Sequence, residues 1–213
     1  KLGQLLDVDI MKVKILLSER TKLMKSLKAI GASKEYESNL PSLLIKDALR
    51  INRKVIRQLK SAIKEIEMKI EQIISENPEI NNQVTLIQSI PGIGKQTAHY
   101  LVCITNGFKN FDNWRKLACY AGVAPFEYSS GSSIKGRTKV NHYADKQLKS
   151  LLNMCALSSK KYDPQMKIYF DKKVKEGKNK MLVLNNIRCK LLARIFSVIN
   201  RQTPYINTYK FVA

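Results

Sequence analysis

The chain has 213 residues, with 38 Lys and Arg against 17 Asp and Glu, a net charge of +21 at neutral pH. That length supports one large domain or two small ones around a sizeable core. No apolar run spans a bilayer and no secretory leader opens the chain, so a membrane role is not expected. Only His99 and His142 are present, and Cys103, Cys119, Cys155 and Cys189 stand singly with no CxxC pair. This argues against a zinc site and for reduced thiols in a cytoplasmic protein. The first residue is Lys rather than Met, which raises the expectation of a piece of a longer protein.

Residues 1–78 read as a helical arm. Ile45, Leu49, Ile56, Leu59, Ile63, Ile66, Ile70 and Ile73 alternate spacings of four and three, with Asn52 as the polar intruder. Sustained 3.5-residue periodicity with charges elsewhere marks a coiled coil, here roughly 45 Å long at 1.5 Å per residue. Leu6, Ile10, Val13 and Leu17, then Arg20, Met24 and Leu27, repeat the spacing, and Gly31 offers a helix stop. The expectation is two antiparallel helices, their stripe covered within the chain or by a second copy. Asn77 before Pro78 is pushed out of helical geometry and ends the arm.

Residues 79–213 read as a compact helical domain, with helical patterns at about 80–89, 95–105, 113–121, 145–160, 164–176 and 181–201 and no convincing strand alternation. The fold class is therefore all-α. The stretch "VTLIQSIPGIGKQTAHYLVCIT" (84–105) reads as helix, tight turn, helix. Gly92 and Gly94 allow close backbone approach and positive φ. The helix that opens at Lys95 points its positive end and N–H groups at the turn, an arrangement suited to a phosphate. The stretch is similar to the helix-hairpin-helix motif, which grips a phosphate without reading sequence; an ordinary αα-hairpin is the bland alternative. "EYSSGSSIKGRTK" (127–139) reads, from composition alone, as a solvated Ser/Gly connector.

Five pieces in order, "IPGIGKQTA", "F…W..LA.YAGVAP", "SSGSSIKG", "KQLKSLL…AL" and "GKNKMLVLN.IR.KLL.RIF", give a stronger signal. Over about residues 40–205 the chain resembles the C-terminal half of insertion-sequence transposases that join a RuvC-like (DEDD) N-terminal domain to a serine-bearing C-terminal domain. This is the bridge-RNA-guided recombinase class, with the pilin-gene-inverting recombinases as relatives. The resemblance implies DNA transposition or site-specific recombination, with Ser130, just before Gly131, as nucleophile on DNA. Ser129, Ser132 and Ser133 remain rivals. A serine hydroxyl needs a base or metal to activate it, and cations to stabilise the charge that gathers on phosphorus. Lys135, Arg137 and Lys139 lie close in sequence, and Arg115 and Lys116 farther off. The resemblance also implies a divalent metal, Mg, bound by carboxylates of an N-terminal domain that this chain lacks, and no cofactor here. Ala144 and Lys149 stand where relatives often show glycine and arginine.

The charge concentrates at the end: residues 131–213 hold 18 basic and 4 acidic groups, a net of +14. Net charge speaks to partners, and a polyanion is the obvious one. Lys146, Lys149, Lys172 and Lys173 belong to the expected backbone-binding surface for DNA or a guide RNA. Six to ten phosphate contacts would give a log K against log salt slope of about −5 to −9. Arg188, Lys190 and Arg194 sit on a buried helix from which charged heads can still reach out. The arm is expected to make a homo-oligomer. The competing reading is a non-catalytic helix-hairpin-helix DNA-binding and oligomerisation module of a repair or recombination protein, its serine loop inert.

Overall fold

The computed structural model describes residues 7–31, 41–124, 126–130, 134–139 and 143–207, the stretches 126–130 and 134–139 by their backbone. The chain divides into two compact units, Lys1–Pro78 and Glu79–Ala213.

The first unit pairs α1 (Val8–Gly31) with α2 (Ser42–Glu76). Asp7 caps α1 by accepting from the Asp9 N–H at 2.8 Å. Arg20 Nε donates to Glu67 at 2.7 Å and Asn77 Nδ2 to Asp9 at 3.3 Å, so residue numbers rise along one helix as they fall along the other. The pair is antiparallel. Ile10, Val13 and Leu17 bury against a stripe that includes Ile63, Ile70, Ile73 and Ile74, while Leu49, Ile56, Leu59 and Ile66 are half-buried. Arg20 interrupts the apolar stripe because it meets Glu67. Asn77 is extended (φ −108°, ψ 104°) and ends α2 before Pro78, as the residue before a proline must.

In the second unit, α3 (Pro78–Gln88) and α4 (Lys95–Thr105) flank the glycine turn, followed by α5 (Trp114–Tyr120), α6 (Lys146–Tyr162), α7 (Pro164–Lys175) and α8 (Lys180–Arg201). Side-chain caps start them: Asn113 for α5, Asp145 for α6, Asp163 for α7 and Asn179 for α8. α8 packs on α5, α6 and α7, and its Ile187, Leu191, Leu192 and Ile195 are fully buried beside Leu117, Leu148 and Leu152. Each such side chain contributes about 1.5–3 kcal/mol of transfer free energy.

The all-α class holds, with one exception among the described residues. Phe126–Ser130 (β1) and Ile134–Lys139 (β2) pair antiparallel, Ser130 opposite Ile134, with an irregularity between Phe126 and Tyr128. The stretch expected to be a connector is thus a β-hairpin. Composition hides it, because serine, glycine and lysine dilute the alternation that marks strands.

Candidate nucleic-acid interface

The glycine turn is held from inside. Gly92 has φ +94°, a conformation that suits glycine, and a Cβ there would lie 2.1 Å from Ser159 Oγ, 2.6 Å from Ser159 N and 2.8 Å from its Cα. Ser159 is fully buried and its hydroxyl donates to the Pro91 carbonyl at 2.7 Å. The backbone that Gly92 approaches is therefore α6 of its own chain. Beside it, Cys155 Sγ donates to Thr97 Oγ1 at 3.3 Å, and burial raises the Cys155 thiol pKa. Gly94 differs: it is exposed, caps α4 at φ −95° with no side-chain capping bond, and a Cβ added to it would meet nothing within 4 Å. Lys95, exposed, opens α4.

The β-hairpin is fastened outside its strands. Asp145 N donates to the Tyr120 carbonyl at 2.9 Å, closing the base of the excursion. Tyr100 Oη donates to Asp145 Oδ2 at 2.7 Å while Asp145 Oδ1 accepts from Leu148 N at 2.9 Å. Burial, then this bond, pushes the Tyr100 phenol far above its ordinary value, and Tyr120 is raised by burial and by the same carboxylate. On the entry side, Asn185 Nδ2 of α8 donates to the Val123 carbonyl at 2.7 Å.

Of the predicted site residues, Ser130 ends β1, while Lys135, Arg137 and Lys139 occupy alternate positions of β2, with Lys135 in register with Ser129 and Lys139 with Phe126. Gly131, Ser132 and Ser133 lie outside the described residues. Lys146, exposed, and Lys149, half-buried, stand in the first turn of α6, where the hairpin's second strand leads. Lys172 and Lys173 end α7; Lys172 is exposed, whereas Lys173 Nζ donates to Glu176 at 2.6 Å, which raises its pKa. Ser130 and the β2 cations thus lie in the excursion between Tyr120 and Asp145, and Lys146 and Lys149 follow it in α6. Gly92 lies against the other end of α6, at Ser159.

Of Arg188, Lys190 and Arg194, the three α8 cations expected to reach outward, two are committed internally. Arg194 Nη1 donates to the fully buried Asp163 at 2.5 Å, and Arg188 is buried, held at 2.7 Å by Asn153 and at 3.3 Å by Asn185, its pKa lowered by desolvation. Lys190, the third of these, is exposed. Asp145, Tyr100 and Asn185 are the residues that sequence reasoning passed over. Asp145 carried a readable signal, an N-cap before an amphipathic run; Tyr100 is 45 positions away and carried none. Among the described residues no three His, Cys, Asp or Glu side chains gather where they could hold a metal ion. Nor is any described helix long and apolar enough to cross a membrane.

Tyr100, Tyr120, Val123 and Asp145 lie within the stretch that matches a known family, while Asn185 lies beyond it. Residues 84–171 match the model of the Transposase IS116/IS110/IS902 family, and this stretch is a transposase domain of the IS110/IS116 type. The chain is 35% identical over 153 residues to a pilin gene-inverting protein of Moraxella bovis, covering 70% of this chain and 47% of that one. It is 28% identical over 145 residues to an uncharacterized 43.6 kDa protein of insertion element IS110 from Streptomyces coelicolor (68% and 36%). It is 27% identical over 133 residues to the transposase for insertion sequence element IS1111A of Coxiella burnetii (55% and 36%). The chain spans about half the length, or less, of the curated relatives it matches.

Proposed function

We propose that this chain is the coiled-coil and C-terminal part of a DNA transposase or site-specific recombinase, and that Ser130 is its nucleophile. The observation that carries the reading is the family match over residues 84–171, which contains the glycine turn, the whole β-hairpin and the first turn of α6. In the step proposed, Ser130 Oγ attacks the phosphorus of a phosphodiester. A P–Oγ bond forms, a P–O bond to one sugar breaks, and the serine proton ends on the departing sugar hydroxyl. The phosphoserine link conserves the bond for rejoining when a second hydroxyl reverses the step. Lys135, Arg137 and Lys139 supply positive charge where the transition state gathers negative charge, with Lys146 and Lys149 at the hairpin's exit. Gly94 and Lys95 offer a separate phosphate contact. A divalent ion, where the reaction uses one, belongs to a domain outside this chain. A guide RNA and a second copy through the arm are further proposed partners.

The test is made in the complete protein. Ser130→Ala should abolish strand exchange and the covalent protein–DNA species seen on denaturing gels, while DNA binding stays within about threefold. Undiminished recombination by that variant removes Ser130 from the mechanism and leaves the binding-module reading.

A further inference from the structure

We propose that a cavity between α7 and α8 binds one unpaired nucleotide of a single-stranded nucleic acid. The cavity measures about 430 Å³ and is lined by Met166 and Tyr169 of α7, by Lys190, Arg194 and Arg201 of α8, and by Tyr205 beyond it, with no acidic residue among its described walls. That size lies in the range of small-molecule sites. It admits one base and not a stacked base pair, so a duplex must offer an unpaired nucleotide to use it.

The walls are prepared in advance. The fully buried Asp163 caps α7 and accepts from Arg194 at 2.5 Å, and the same guanidinium donates to Gln165. Arg194 thus has its charge balanced and its position fixed, with its guanidinium 4.6 Å from the Tyr205 ring centroid. Tyr205 is itself held, because its N–H donates to Ser89 Oγ at 2.8 Å and, three residues earlier, Gln202 accepts from Asn82 at 2.8 Å. The other ring, Tyr169, lies 4.6 Å from Lys190 Nζ. Lys190 and Arg201 are exposed, and among the described residues neither forms an ion pair. Lys190, Arg194 and Arg201 follow i, i+4, i+11 spacing and share one face of α8 over about 16 Å. Two solvent-facing cations flanking a tyrosine-walled, acid-free pocket present phosphate contacts on either side of a base-sized slot. Rings of this kind stack on any base, which makes the site tolerant of sequence.

This inference rests on the nucleic-acid part of the proposed function and not on Ser130. It is tested with the 213-residue chain by fluorescence anisotropy, using mixed-sequence single-stranded DNA, single-stranded RNA of the same sequence, and the DNA duplex. Lys190→Gln combined with Arg201→Gln should weaken single-strand binding at least about tenfold and reduce the salt slope by about 1.4, two phosphates at ~0.7 each. Duplex binding should fall by no more than about threefold. Tyr205→Leu should weaken single-strand binding about tenfold without changing the salt slope, and Tyr205→Phe should restore it. The DNA and RNA arms identify which strand the pocket prefers. Equal losses for single strand and duplex, or unchanged single-strand affinity in the double variant, overturn the pocket. So does capture of a free mononucleotide as tight as that of an oligonucleotide. Repeating the titrations in Ser130→Ala keeps the two readings apart, since the pocket's behaviour must persist where no covalent link can form.

Discussion

The glycine turn and the serine hairpin are both excursions between helices, and both carry residues read as phosphate contacts, yet they are secured in different ways. The turn is locked at its middle, where Gly92 seats on the backbone of Ser159 and the Ser159 hydroxyl returns a bond to Pro91. The described anchors of the hairpin lie at its ends, at Val123 and at the Tyr120–Asp145 closure. These two attachments use opposite ends of α6, Ser159 and Asp145, about 21 Å apart along the helix at 1.5 Å per residue. A glycine in a "PGIG" turn is therefore ambiguous: it permits close approach, but here the partner approached by Gly92 is internal. Gly94 and Lys95, by contrast, are exposed, and a Cβ on Gly94 would meet nothing within 4 Å.

That contrast is broken most forcefully at Gly92. Gly92→Ala puts a Cβ among three Ser159 atoms and forces a residue with a side chain to φ +94°. Backbone strain and overpacking each cost about 1–3 kcal/mol, so a loss of about 4 kcal/mol is expected in urea denaturation. Two of the three clashing atoms are backbone, so adding Ser159→Gly should restore only part of the loss. A stable Gly92→Ala that has merely lost DNA affinity would show that the turn belongs to the ligand after all.

The hairpin's closure is tested at Tyr100. Tyr100→Phe removes the donor to Asp145 and should destabilise the fold by about 1 kcal/mol near neutral pH, since Asp145 keeps its bonds to the Leu148 and Tyr120 side. The pH dependence sharpens this. The Tyr100 phenol is raised above its ordinary value of 10.0, so the folded state holds the proton that the unfolded state releases. The stabilisation is complete below pH 10 and is lost as pH rises through and beyond it. The gap between wild type and Tyr100→Phe should therefore narrow above about pH 10. A gap that stays constant across that range would mean Tyr100 acts by packing alone.

The helices were legible because their signals are local. Heptad spacing fixed the arm from Ile45 to Ile73, and Asn77–Pro78 marked its end; Asp145 and Asp163 announce α6 and α7 by capping them. The β-hairpin was not legible, since a pair of short polar strands is specified by its register and by bonds from distant residues such as Asn185 and Tyr100, which leave no periodic trace. Charge was half legible. Lys146, Lys172 and Lys190 are exposed, but Arg188 and Arg194, expected to reach outward from the same buried helix as Lys190, are spent on Asn153 and on buried Asp163. The role proposed for Ser130 rests on the family resemblance, since composition alone reads the stretch as a connector.

The smallest expected change in stability is at Gly94, and it is the more informative for being small. A methyl there meets nothing within 4 Å, and φ −95° suits any residue. Gly94→Ala weakens an N-cap slightly and gains back unfolded-state entropy, leaving a net change below about 1 kcal/mol. If the exposed end of α4 holds a phosphate, the added methyl stands between backbone and ligand, and duplex DNA affinity should drop about three- to tenfold while the denaturation midpoint barely moves. Affinity and stability would then separate at Gly94 and fail together at Gly92, two residues apart. An unchanged affinity in Gly94→Ala would assign the entire turn to the packing of α3 and α4 on α6, and leave phosphate binding to the cations of the hairpin and of α8.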